Sequence, residues 1–110
     1  LRYYLLREVS FGQDGSYSAE AIIRCANADL ANSFGNLAQR SLSMIFKNMG
    51  GTLKAVERSD ADQQLAAKVL AATTDELPQA FATLNFSGGI EAWLRAVFAC
   101  NQYVDDQAPW

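Results

Sequence analysis

Apolar residues recur at helical spacing along nearly all of the 110 residues, and no stretch sustains the alternation of period two that a strand needs. That one feature restricts the chain to helices packed on helices. From Asp29 to Met49, at about 100° per residue, Leu30, Phe34, Leu37, Ala38, Leu42, Ile45 and Met49 share one broad face. Asn32, Ser33, Asn36, Arg40, Ser43 and Lys47 occupy the opposite face. A later segment carries Leu65, Ala66, Val69, Leu70, Leu77, Ala80 and Phe81 in phase, and the last one Ile90, Trp93, Leu94, Val97 and Val104. The fold class is therefore all-α, a small antiparallel helix bundle with short connections.

Local signals set the expected boundaries. Leu1 to Val9 is a short helical run, followed by a loop over Ser10 to Tyr17 with a turn at Asp14-Gly15. Ser18 is the expected N-cap of the long segment, with Glu20 in the first turn, where a carboxylate suits the helix dipole. A kink is expected near Asn32 to Gly35, and Gly50-Gly51 should stop the helix. Thr52 to Ser59 connects to a helix opened by an Asp60/Gln63 capping box, and Pro78 should kink or end it. Asn85 or Ser87 caps the last helix, whose start Gly88-Gly89 weakens. Pro109 either ends that helix or opens another.

Composition excludes much chemistry. The chain has no histidine, so it cannot alone build a Ser-His-Asp triad, a His-activated cysteine or a His-ligated zinc. Asp105-Asp106 and the Asp60/Asp62 pair have no companion base, no Gly-rich phosphate loop and no further metal ligands, and they read as solvated helix-end charges. No catalytic residue, cofactor-binding residue or metal site is expected. Cys25 and Cys100 form no metal pattern or disulfide framework and fit reduced thiols in a cytoplasmic protein. No apolar run approaches the roughly 18 residues of a membrane span, so no membrane partner is expected. The net charge of −3 argues against broad phosphate binding.

Four residues stand out. Asn36 and Arg40, four apart, project side by side from one turn and together offer planar donors and an acceptor that can meet base edges; the plain alternative is a solvated pair. Trp110 can stack on a nucleobase or belong to a core continued elsewhere. Asn101 falls inside an apolar stripe, where its amide needs partners, and it is expected to tie its helix to a neighbour's backbone.

Three stretches carry a resemblance. Leu1-Arg2-Tyr3-Tyr4-Leu5-Leu6-Arg7-Glu8-Val9, running into Phe11-Gly12-Gln13-Asp14-Gly15, is similar to the segment after the catalytic half of bacterial methionyl-tRNA synthetases. Asn27-Ala28-Asp29-Leu30-Ala31-Asn32, then Gly35-Asn36-Leu37 and Arg40, resembles the first long helix of their anticodon-binding domain. Asn101-Gln102-Tyr103-Val104-Asp105, ending in Gln107-Ala108-Pro109-Trp110, resembles the close of a later helix and the motif beyond it. The resemblance departs at Ser10, where the family usually has proline, and at Gly88-Gly89.

The resemblance implies a division at residue 17. Residues 1–17 would end the segment linking to the catalytic half, and residues 18–110 would form the anticodon-binding domain of the class Ia synthetases, truncated at its C-terminal end. It implies a parent methionine–tRNA ligase that uses ATP in the cytoplasm, with no cofactor in this stretch. The class I signatures HIGH and KMSKS are absent here. The implied partners are the anticodon loop of tRNA and the catalytic domain of the same chain. The implied anticodon contacts are base-edge hydrogen bonds from Asn36 and Arg40 and stacking by Trp110. Two alternatives stay open: the anticodon domain of another class I synthetase, and a helix-bundle interaction module with no RNA role.

Overall fold

Ser18 opens the longest rod of the molecule: extended at φ −148°, it accepts a hydrogen bond through its hydroxyl from the Ala21 N–H at 3.3 Å. In the computed structural model, which describes residues 1–110, α2 (Ala19–Cys25) runs without interruption into a π-helical segment (Ala26–Gly35) and then α3 (Asn36–Met49). The expected kink near Asn32 to Gly35 is thus a stretch of wider turns with i→i+5 bonding. Ser33 bonds back through its hydroxyl to the Ala28 carbonyl, five residues earlier, at 2.9 Å, in step with that wider turn. Gly50, at φ 63°, ends α3 in the left-handed conformation that glycine adopts without steric cost.

The shorter α1 (Arg2–Glu8) precedes the rod. The loop between them turns at Ser10 to Gln13, where the Gln13 N–H donates to the Ser10 carbonyl at 3.1 Å and Gly12 has φ 86°. The turn thus lies ahead of the one expected at Asp14-Gly15. Gly15 is needed for packing, since a Cβ there would come within 2.3 Å of a Val9 methyl.

Ser59, one residue before the expected cap, opens α4 (Asp60–Leu70) with a reciprocal capping box: its hydroxyl accepts from the Asp62 N–H, and the Asp62 carboxylate accepts from the Ser59 N–H at 2.8 Å. A second π-helical segment (Ala71–Glu76) carries the chain into α5 (Leu77–Ala82). Pro78 therefore does not end the helix. The widened turns precede it, and it stands in the first turn of α5, where a missing N–H costs little. Asn85 caps α6 (Phe86–Gln107) by accepting from the Gly88 N–H at 3.2 Å. Gly89, in its first turn, admits the Phe81 ring, which a Cβ would approach to 2.7 Å. Ala108, at φ 41°, closes α6, and Pro109 follows as its stop.

α6 is the spine. It packs against α1, the first π-helical segment, α3, α4, the second π-helical segment and α5. Ten residues are buried, and six of them, Gly89, Ile90, Ala92, Leu94, Ala96 and Val97, lie on this helix. On one side Ala92 and Ala96 meet Ala72 with Val69 beside them, small residues that let the helices approach closely. On another side Trp93 sits between Tyr3 of α1, at 6.3 Å between ring centroids, and Phe34 of the rod, at 5.4 Å. Phe86 sits edge-on to Phe11 and to Phe81.

The apolar face expected on the rod is only partly covered. Leu37, Ala38 and Ile45 are half-buried, whereas Leu42 is 66 % exposed, Met49 44 % and Phe34 47 %. Phe46 and, beyond the helix, Leu53 and Val56 add to the exposed apolar surface. The helices are therefore those the periodicity demands, but part of their apolar surface stays open to solvent.

Candidate nucleic-acid interface

The structure brings Arg40 and Trp110 together, with Asn36 one turn before Arg40 on the rod. Asn36 is the first residue of α3 and is exposed; Arg40 follows one turn later, half-buried. Neither lies in the packed interior. Trp110 stands just beyond the end of α6, with 73 % of its surface exposed. The left-handed backbone at Ala108 and the proline after it turn the chain out of the α6 axis, and the Arg40 guanidinium carbon then lies 5.7 Å from the centroid of the Trp110 ring. That distance is within the range of a cation–π contact.

Arg40 is held from a second side. Its Nη2 lies 2.6 Å from the Asp105 carboxylate, a charge-assisted hydrogen bond from α3 to α6. Sequence reasoning treated Asp105 as a solvated helix-end charge. The signal that would have found it is its position four residues after Asn101, one turn along α6.

Asn101 does what its place in the stripe predicts. Its Nδ2 donates to the Ser33 backbone carbonyl at 3.2 Å. Its Oδ1 is buried with no hydrogen-bond partner. A buried unsatisfied acceptor costs roughly 1–3 kcal/mol, comparable to or larger than what one hydrogen bond contributes. The amide is thus close to neutral or unfavourable for stability.

A second polar cluster lies at the other end of the first π-helical segment, and sequence reasoning missed it. Asp29 is buried, and its Oδ2 accepts from the Tyr3 hydroxyl at 2.9 Å and from the Cys25 thiol at 3.7 Å. The same oxygen lies 2.7 Å from Arg7 Nε, although that N–H is not aimed along a hydrogen bond. The contact with Arg7 is therefore mainly electrostatic. Burial, then the neighbouring Asp29 carboxylate, push the Tyr3 phenol and the Cys25 thiol above their ordinary values. Burial is the largest single influence and works against the Arg7 charge, but Asp29, Tyr3, Glu8 and Cys25 together more than offset it, and the guanidinium pKa is raised. The spacing i, i+4 on both α1 (Tyr3, Arg7) and the rod (Cys25, Asp29) is the only trace of this cluster in the sequence.

Both cysteines are free thiols; burial raises the pKa of Cys100 as well. No three His, Cys, Asp or Glu side chains come together in a way that could hold a metal ion. No helix is long and apolar enough to cross a membrane.

Known proteins match this arrangement from end to end. The profile of the family "tRNA synthetases class I (M)" matches residues 1–42. A methionine–tRNA ligase of Mesorhizobium japonicum is 49 % identical over 100 % of the chain, which covers 21 % of that relative. One of Mycobacterium leprae is 47 % identical over 100 % of the chain and 20 % of the relative. The crystal structure of Mycobacterium tuberculosis methionyl-tRNA synthetase bound by methionyl-adenylate superimposes with a TM-score of 0.92 at 45 % identity, over 99 % of this chain and 22 % of that one. The chain spans about a fifth of the length of the relatives it matches. Aligned with them from its first residue to its last, and sharing their helical architecture, this chain belongs to the methionyl-tRNA synthetase family as one of its helical segments.

Proposed function

We propose that this segment reads the CAU anticodon of methionine tRNA on behalf of a methionine–tRNA ligase, with residues 18–110 as the anticodon-binding unit and residues 1–17 as the end of its link to the catalytic half. One observation carries the reading. Arg40 of α3 and Trp110 beyond α6, from distant parts of the sequence, share one surface, with Asn36 one turn from Arg40. Planar donors beside an open indole suit unpaired bases, which proteins recognise by stacking and by hydrogen bonds to base edges. Such recognition does not need a wide basic surface, so a chain of net charge −3 can perform it. Asn36 and Arg40 supply the base-edge hydrogen bonds, and Trp110 supplies the stacking face.

Arg40 would exchange its Asp105 partner, or part of it, for the RNA. Joining methionine to tRNA with ATP is proposed for the whole cytoplasmic protein, through residues other than those described here. Within it, this segment's partners are the anticodon loop and the catalytic domain.

The test is made in the full-length ligase. Trp110→Ala and Arg40→Ala are expected to raise the KM for tRNA by roughly 5- to 150-fold, the factor that corresponds to about 1–3 kcal/mol, the worth of a stacked base for Trp110 and of hydrogen bonds from a charged group for Arg40. Methionine activation should change little. Equal losses in both activities would contradict the reading. Unchanged charging of a tRNA whose CAU is replaced would point to a different anticodon.

A further inference from the structure

We propose that Asn101 is a positioning residue for the RNA-reading pair, fixing the azimuth at which Asn36 and Arg40 leave the rod; the inference rests on the function proposed above and adds a residue to it. The link passes through one carbonyl. Ser33 O accepts the Asn101 Nδ2–H at 3.2 Å and also shares the backbone N–H of Asn36 with Ala31 O, at the point where the π-helical segment becomes α3. Ser33 is further held by its own hydroxyl, bonded to Ala28 O at 2.9 Å. Wider turns alter the rotation per residue, so the residue that fixes the end of the π-helical segment sets the direction of every side chain after it on the same rod. Asn36 and Arg40 are the first polar residues so directed on that face.

Packing alone gives no reason for an amide at this position. Asn101 lies in phase with Leu94, Val97 and Val104, where an aliphatic side chain would continue the stripe. Its Oδ1 is buried and unpartnered, so the amide gains one bond and leaves one acceptor unmet. What the amide alone provides is a donor aimed at Ser33 O. One turn along α6, Asp105 holds the Arg40 guanidinium. Two consecutive turns of α6 thus hold first the backbone that leads into α3 and then the side chain that α3 presents.

The experiment compares Asn101→Leu and Asn101→Asp with the wild-type chain. Asp keeps the size and loses the donor, so it serves if the leucine variant does not fold. In RNA-free protein, both variants should shift the NMR signals of the Asn36 amide, the Arg40 Nε–H and the Trp110 indole N–H. The leucine variant should unfold at the same temperature as the wild type or higher. Binding to a short RNA hairpin with a CAU loop should weaken by about five- to tenfold, the worth of one typical hydrogen bond. In an Asn36→Ala, Arg40→Ala background the same substitution should cause no further loss. Unmoved Asn36 and Arg40 signals would overturn the proposal, as would an undiminished loss in that background. Failure of wild-type protein to bind the hairpin would sink the functional reading and with it the role toward RNA, while the shifts in free protein still decide the structural link.

Discussion

The Tyr103 hydroxyl donates to the Asp62 carboxylate, joining α6 to the residue that completes the capping box of α4. That hydrogen bond, with the one from the Ser59 N–H, lowers the Asp62 pKa, and the same contact raises that of Tyr103. The two shifts bound a pH window. A depressed carboxylate contributes stability above its unfolded value that is lost as pH falls through the folded one. A raised phenol contributes stability below its unfolded value that is lost as pH rises through the folded one. The contact should therefore persist between the acid range of Asp62 and the alkaline range of Tyr103. An NMR titration should place the Asp62 midpoint below the ordinary aspartate value of about 3.9. In Tyr103→Phe the midpoint should move back up, since that hydrogen bond is the largest cause of the shift. At this scale the sequence was partly readable. Asn101 stood out because an amide inside an apolar stripe needs partners, and Asn36 with Arg40 because their spacing and the resemblance paired them, whereas the partners of Asp29 and Asp62 did not show, because an aspartate's contacts across helices leave no mark on local spacing.

Helix ends carry the next set of consequences. Between α5 and α6 the chain forms a Schellman motif: the Asn85 N–H reaches the Ala80 carbonyl at 2.8 Å, and the Leu84 N–H reaches Phe81 at 3.1 Å. The residue in the left-handed position is Leu84, at φ 64°, where a side chain is disfavoured. Leu84→Gly is expected to raise stability by about 1 kcal/mol, less whatever contact the half-exposed leucine makes, as measured by urea denaturation. Ser59→Ala should lower it by about 1 kcal/mol through loss of the N-cap in the same assay. A rise on removing Ser59 would mean that the capping box is not formed. Caps and stops followed from residue type: Ser18, Gly50, Asn85 and Pro109 all mark real boundaries. The two π-helical segments did not, because apolar periodicity near 3.6 cannot distinguish a few wider turns from a kink. At Pro78 the local rule was overridden by the wider turns that precede it.

The whole molecule is longer than a compact chain of its size. Its radius of gyration is 16.5 Å, against about 13 Å for a typical domain of this length. At α-helical rise the rod from Ala19 to Met49 spans roughly 45 Å, close to the longest dimension of 48 Å. With few residues buried and Leu42, Phe46, Leu53 and Val56 exposed, the 110-residue chain should bind a hydrophobic dye such as ANS while fully helical. Leu42→Gln with Phe46→Gln should reduce that signal without loss of circular dichroism; an unchanged signal would place the dye elsewhere. The sequence shows which helical faces are apolar but not which of them find a partner inside these residues, because periodicity reports only the need for burial. The concentration of buried residues on α6 also bears on how the chain comes apart. Helices that lean chiefly on one common neighbour cannot be lost singly and leave a sound remainder if that neighbour is what goes. Amide protons of Ala92, Leu94, Ala96 and Val97 should exchange last with deuterated solvent, and their exchange should coincide with global melting, so that a lesion in this one helix is felt at the far tip of every other.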